Sequence, residues 1–132
     1  MTPARALRPI LRRLRRRRGL TTADMAEALR IDIRTYERMA SGRTRPDLHR
    51  LLELAHVLDC DPIGLIAAVT LGSPTLACAC ADAKVLLALA LALKRLTGRE
   101  IDALSRRHGL EVIAACDRLV ADLLSPAGAS SS

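Results

Sequence analysis

Two short segments of helical character, separated by a break at residues 30–32, constrain the fold of this chain more than any other feature. Thr21 is a suitable N-cap for the first segment, and apolar residues recur behind it at helical spacing. Asp32 is a suitable N-cap for the second segment. Gly42 ends that segment, because glycine tolerates the left-handed conformation that often follows a helix. The sequence therefore predicts two short helices joined by a tight turn.

The composition indicates that the rest of the chain is helical too. Half of the residues are hydrophobic, yet the chain has no Phe, no Trp and one Tyr, Tyr36. A core of Leu, Ala, Val, Ile and Met suits close helix packing better than a β-sheet. We therefore predict an all-α protein.

Three further helices complete a five-helix unit around the pair. A helix over 7–18 has an apolar stripe and seven arginines, and it follows a loose tail at residues 1–6. A fourth helix runs from about residue 47 to 59, and a short fifth helix runs from 62 to about 70. The boundary of this first domain is placed after residue 71.

The positive charge of the chain belongs to this first domain. The net charge is +7, of which residues 1–71 contribute +6 (14 Arg against 8 acidic residues). Such a field favours a polyanionic partner. The alternative is a solvated, arginine-rich surface with no binding role.

No targeting or membrane segment is expected. The N-terminus is rich in arginine where a secretory signal would be apolar, and the most apolar stretch, 85–93, is only nine residues long. We expect a cytoplasmic protein with reduced cysteines, no cofactor and no membrane partner. The sequence carries no enzyme signature: no glycine-rich phosphate loop, nucleophile elbow or metal-hydrolase histidine pair.

An ordered set of residues runs through positions 7–70: Leu14-Arg15, Gly19-Leu20-Thr21, Ala26, Leu29, Ile31, Gly42 to Pro46, Leu51, Leu54-Ala55, Leu58 and Asp61-Pro62-Ile63. Through this set the segment resembles the Cro and lambda-repressor type of helix-turn-helix protein, the Xre family. Three positions depart from the family pattern: Thr22, Arg30 and Ala40 stand where Gln, Gly and Glu are common. The resemblance implies a five-helix DNA-binding domain that is usually dimeric on double-stranded DNA.

In such a motif the second helix enters the major groove. Residues near its start are the candidates for reading bases: Ile33, Arg34, Glu37 and Arg38. Phosphate contacts are expected from Thr22, Thr35, Arg43, Thr44 and Arg45. Tyr36 and Met39 fall on the opposite side of the helix and are expected in the core.

The second half, 72–124, is predicted to be a dimerisation module of about three helices, followed by a disordered tail at 125–132. Its first helix runs from Pro74 to about Leu96 and is apolar on nearly all sides towards its end. The others cover 99–107 and 110–124. The expected dimer interface is Leu87, Leu89, Leu91, Leu93, Leu96, Leu119 and Leu123.

Three functions fit these features. The first is a regulator, most simply a repressor, that binds a near-palindromic operator as a homodimer. The second is an antitoxin whose second half binds a toxin while the first half regulates its own operon. The third is a sensor of a ligand or metal, for which His56, Cys60, Cys78 and Cys80 are the metal-ligand candidates, although buried thiols without such a role are favoured.

Overall fold

A computed structural model describes residues 2–126, and these residues form helices and no strands. The predicted all-α fold is therefore confirmed. The helices are α1 (Pro3–Arg17), α2 (Thr22–Leu29), α3 (Ile33–Ala40), α4 (Leu48–Val57), α5 (Pro62–Leu71), α6 (Pro74–Ala79), α7 (Val85–Lys94), α8 (Gly98–Ser105) and α9 (Gly109–Leu124). They fall into two compact units, one up to Leu93 and one from Lys94 onward. The sequence predicts a boundary after residue 71, between a DNA-binding domain and a dimerisation module. This functional boundary stays a prediction.

The first helix begins at Pro3, earlier than the predicted start at residue 7. The hydroxyl of Thr2 accepts a hydrogen bond from the backbone N–H of Arg5 at 3.4 Å, and Pro3 occupies the first turn. The prediction of a loose tail at residues 1–6 is therefore wrong for the described residues. Pro9 lies inside α1 and not in its first turn.

The core of the first unit forms where α1 packs against α3, α5 and α6 and where α2 packs against α3 and α4. The predicted stripes on α1 and α2 are confirmed, since the following side chains are at most 5 % exposed: Leu7, Ile10, Leu11, Leu14, Met25, Ala26 and Leu29. Burying each of the large side chains contributes about 1.5–3 kcal/mol.

The helical spacing of Leu48, Leu51, Leu52, Ala55 and Leu58 predicts one apolar face on α4, and this prediction is partly wrong. Leu48 and Leu52 are 60 % and 42 % exposed, whereas Leu54 is fully buried beside Ala55 and Leu58. The helix begins at Leu48, after the Asp47 N-cap, and packs on α2 and α5 through its C-terminal half. Its first turn therefore stays in contact with solvent.

The turn between α2 and α3 has the geometry that glycine usually provides. Arg30 adopts φ 58° and ψ 41°, the left-handed conformation that is uncommon for a side-chain-bearing residue. Its N–H is bonded to the end of α2, and Ile31 N–H donates to Ala26 at 3.0 Å. The departure from the family pattern at Arg30 thus leaves the shape of the turn intact.

The predicted single helix from Pro74 to Leu96 is wrong, because α6 ends at Ala79 and α7 begins at Val85. Lys84 has φ 47°, which no continuous right-handed helix accommodates. The break is stabilised by contacts with the end of α1 and the turn between α4 and α5.

The helices of the second unit, α8 and α9, lie close to the predicted segments 99–107 and 110–124. A capping box between Thr97 and Glu100 starts α8. Neither helix has a buried residue within the described chain. The tail predicted to be disordered, 125–132, falls mostly outside the described residues. No helix in the described range combines the length and apolar content that a bilayer span requires.

Candidate nucleic-acid interface

Helix α3 is anchored by one face and exposed on the other. The carboxylate of Asp32 accepts the N–H of Thr35 at 2.7 Å and caps the helix. Tyr36 and Met39 are 1 % and 4 % exposed, which confirms their predicted place in the core. The opposite face carries the four predicted base-reading side chains, all exposed: Ile33, Arg34, Glu37 and Arg38.

Beside this face lies a cationic groove of about 530 Å³, bordered by α1, the start of α2, α3 and the loop after α3. Its lining residues are Arg8, Leu11, Arg12, Arg15, Thr22, Arg34, Tyr36, Glu37, Arg38, Ala40, Ser41 and Arg43. Six arginines and one acidic side chain face this space. The N-terminus of α2, at Thr22, adds the positive end of its helix dipole.

The groove brings together five of the nine predicted DNA-contacting residues: Thr22, Arg34, Glu37, Arg38 and Arg43. The remaining four do not line it. Ile33 and Thr35 are exposed on α3, and Thr44 and Arg45 line a neighbouring cavity of about 510 Å³ between α1, α4 and α5.

The structure adds three arginines of α1 to the groove that no predicted site contained. Arg8, Arg12 and Arg15 line it, each about one helical turn from the next. Their spacing in the sequence indicates that they share one side of α1. It does not reveal that this side faces α3.

The other α1 arginines have different surroundings. Arg17 and Arg18 bind Asp82 at 2.6 and 2.9 Å, so they belong to the break between α6 and α7. Arg13 and Arg16 are exposed and lie outside the groove lining. The arginine cluster therefore divides into a groove-facing set, a structural set and a solvated set.

Arg15 lines the groove but is partly buried. Ala40 stands where the resembling family commonly has Glu, and the guanidinium of Arg15 donates to the carbonyl of Leu20 at 2.9 Å. Burial raises the pKa of the Tyr36 hydroxyl above its ordinary value, and the nearby charge of Arg15 opposes this shift. At neutral pH Tyr36 is therefore an uncharged donor on the groove wall.

The basic loop after α3 is fixed by close backbone contacts. Arg43 and Thr44 donate their N–H groups to the carbonyl of Arg38 at 2.9 and 3.3 Å. Gly42 has φ 85°, and a Cβ at this position would lie 2.6 Å from the carbonyl oxygen of Ala4. The loop is thus pressed against the start of α1, which fixes where Arg43 enters the groove.

The metal-ligand candidates do not assemble. Within residues 2–126 no group of three or more His, Cys, Asp or Glu side chains is placed to hold an ion. Burial raises the pKa of the Cys60 thiol to about 11, and burial also raises the pKa of Cys80. These thiols are protonated at neutral pH, as expected for cysteines that pack as small hydrophobic side chains.

Comparison with known proteins agrees with this geometry. Residues 6–65 match the family model described as a helix-turn-helix domain. The match begins in α1 and ends in α5, so it includes every element that borders the cationic groove. No curated protein and no solved structure matches the chain significantly.

Proposed function

We propose that this chain, in which residues 6–65 form a helix-turn-helix domain, is a transcription regulator that binds its operator as a homodimer and acts as a repressor. The observation that carries the proposal is the cationic groove along the exposed face of α3. A groove with six arginines beside an exposed helix suits a duplex, because the phosphates neutralise the arginines while the helix enters the major groove.

Base reading is assigned to the exposed face of α3. Arg34 and Arg38 are one helical turn apart, and each has the planar guanidinium that binds the O6 and N7 atoms of guanine in a bidentate manner. Glu37 lines the same groove, where it either accepts from a cytosine amino group or orients a neighbouring arginine. Ile33, 45 % exposed at the start of the helix, suits contact with a thymine methyl group.

Phosphate binding is assigned to both sides of the groove. Thr22 and Arg43 would bind the strand nearest the start of α2, and Arg8 and Arg12 would extend the contact along α1. Thr35, Thr44 and Arg45, the other candidates for phosphate binding, do not line the groove. These contacts fix the register of the domain on DNA and carry no sequence information.

Pairing of two copies is supported by the exposed apolar surface of α7, α8 and α9. Large hydrophobic side chains on these helices are 36–79 % exposed, a concentration that usually marks a protein interface. They are Leu89, Leu91, Leu93, Ile101, Leu104, Leu110, Val112, Ile113, Leu119, Val120, Leu123 and Leu124. Of the predicted interface residues, Leu87 and Leu96 are half-buried and the other five are exposed.

The second candidate function is an antitoxin, and the same exposed surface supports it. If a toxin and not a second copy covers α8 and α9, the purified chain is monomeric and poorly soluble. The mass in solution of the chain purified without a partner therefore distinguishes the two candidates.

Selection of bound duplexes from random sequence tests the proposal, with the mass in solution measured on the same preparation. A dimeric mass and an enriched inverted repeat support the homodimeric regulator. The absence of any enriched motif at salt concentrations where binding persists refutes it. A monomeric mass together with an enriched single site favours the antitoxin.

A further inference from the structure

The break between α6 and α7, residues 80–84, is held against the DNA-binding domain by a buried carboxylate; we call these residues the elbow. We propose that the elbow fixes the direction of α7 relative to α3 and thereby selects the spacing of the two half-sites, with Asp61 as the positioning residue. This inference rests on the proposed function, because spacing has meaning only for a dimer on DNA.

Asp61 is fully buried, and its carboxylate caps two helices at once. One oxygen accepts the N–H of Gly64 at 2.9 Å, as an N-cap of α5. The other oxygen accepts the N–H groups of Leu86 and Leu87 at 2.8 and 3.1 Å, in the first turn of α7. The backbone N–H of Asp61 also donates to the carbonyl of Cys80 at 3.3 Å. A single buried side chain therefore joins the start of α7 to the start of α5.

Arg18, at the end of α1, binds both sides of the same joint. Its guanidinium donates to the carbonyls of Leu58 and Asp59, each at 2.7 Å, and to the carbonyl of Ala81 at 3.1 Å. It also pairs with Asp82 at 2.9 Å. These bonds connect the turn between α4 and α5 to the elbow.

Close packing restricts α6 as well. A Cβ on Gly64 would lie 2.6 Å from the Cβ of Cys80, so the end of α6 lies directly on α5. Lys84 adopts φ 47° and pairs with Asp59 at 2.9 Å, which aligns the first residue of α7. The exposed ion pairs contribute little by themselves. The buried Asp61 is therefore the contact whose loss should release α7.

The consequence for DNA binding follows from the pairing proposed for α7. Leu89, Leu91 and Leu93 are exposed on this helix, and α7 up to Leu93 belongs to the same compact unit as α3. Two copies that pair through a fixed α7 hold their α3 helices at one separation. A dimer of this kind binds strongly only where the half-sites have the matching distance, about one turn of DNA or a multiple of it.

The test is Asp61→Asn. The asparagine carboxamide replaces one oxygen by an NH2 group, so either the Gly64 N–H or the α7 N–H groups would face a donor instead of an acceptor. Binding is measured on duplexes that carry two selected half-sites, with the spacing changed one base pair at a time, and on a duplex with one half-site. Asp47→Asn is the matched control, because Asp47 is an exposed N-cap that accepts from the N–H of Arg50 in its own helix, at 2.8 Å.

The natural chain is expected to show a sharp optimum of spacing. Asp61→Asn should bind the optimal duplex at least about tenfold more weakly, because a loosely held partner has a lower effective concentration. Its affinity for one half-site should change less than about twofold, and its spacing optimum should flatten. Asp47→Asn should change the affinity for every duplex by the same factor, so its spacing optimum should stay where it is in the natural chain.

Three results would overturn the inference: no spacing optimum in the natural chain, an unchanged optimum in Asp61→Asn, or an equal loss on single and paired half-sites. If circular dichroism shows that Asp61→Asn is unfolded, two glycines inserted between Ala83 and Lys84 test the same joint without altering Asp61. A sharp optimum in that variant would also overturn the inference. Failure of the natural chain to bind any duplex is a different outcome, since it refutes the proposed function itself.

Discussion

Replacing Arg8 and Arg12 by alanine tests whether α1 forms one side of the DNA interface. Both side chains line the cationic groove, and neither has an acidic partner within the described residues. Each arginine that neutralises a phosphate contributes about 0.9 to the slope of log K against log salt concentration. The double variant should therefore lower the slope by about 1.8 per protomer, or about 3.6 for a dimer.

The slope is measured by fluorescence anisotropy of a labelled duplex between about 50 and 200 mM salt. Over this fourfold range the salt-induced loss of affinity should shrink about tenfold per protomer. Random-sequence DNA should show the same change, because phosphate contacts do not read sequence. Alanine is the best helix former, so the variant should keep the stability of α1.

Arg13→Ala with Arg16→Ala is the matched control. It removes two charges from the same helix, but these side chains are exposed and lie outside the groove. Charges that do not contact phosphate act only over a screening length of about 10 Å at 0.1 M salt. The control should therefore leave the slope nearly unchanged. Equal decreases in both double variants would refute the groove as the phosphate site and would favour a general effect of net charge.

Three further perturbations have defined outcomes. Arg38→Ala should weaken binding to the selected operator by about 1–3 kcal/mol and relax specificity at one base pair. Arg43→Ala should weaken binding to all sequences alike, and competition titrations compare the two variants. If Arg38→Ala loses equal affinity for operator and random DNA, base reading by Arg38 is contradicted. Leu14→Ala should lower the unfolding free energy by about 2–5 kcal/mol in urea, whereas Leu48→Ala, 60 % exposed against 2 % for Leu14, should change it by less than about 0.5 kcal/mol. Hydrogen bonds from Arg17 and Arg18 lower the pKa of Asp82 below its ordinary 3.8, so its stabilising effect is complete above that value and is lost as the pH falls through the lower folded-state pKa. Thermal melts should show a shallower acid-induced loss of stability for Asp82→Asn, and an unchanged acid profile contradicts this linkage.

The sequence was sufficient to predict the helices that carry their own end signals. Thr21 and Asp32 are each found capping the helix that the sequence predicts for them. Local hydrogen bonds between a side chain and the next turn decide these boundaries, so neighbouring residues suffice to find them. Thr2 and Pro3 carry the same kind of end signal, in the segment that was predicted to be a loose tail.

The elbow was not predictable from local signals. No glycine or proline marks residues 80–84, and Lys84 takes a left-handed conformation that its residue type disfavours. The conformation is stabilised by Asp59 and Asp61, which are more than twenty residues away in the chain. Apolar periodicity alone therefore merged α6 and α7 into one helix.

The cationic groove was predictable only in part. The face of α3 follows from its helical period, which places Arg34 and Arg38 together and Tyr36 behind them. The contribution of Arg8 and Arg12 depends on how α1 rotates against α3, and that rotation is fixed by packing across the core. The sequence therefore shows that α1 is rich in arginine, but it does not show which of these arginines face the groove.

Methylation interference at guanine N7 is the decisive test of whether α3 reads bases, because N7 lies in the major groove where Arg34 and Arg38 would bind. A selected operator is methylated sparsely, and bound and unbound duplexes are compared base by base. We expect interference at guanines in two symmetric half-sites about one helical turn apart, with one guanine per half-site losing its effect in Arg38→Ala. Interference confined to minor-groove adenine N3, or none at guanine, would contradict it.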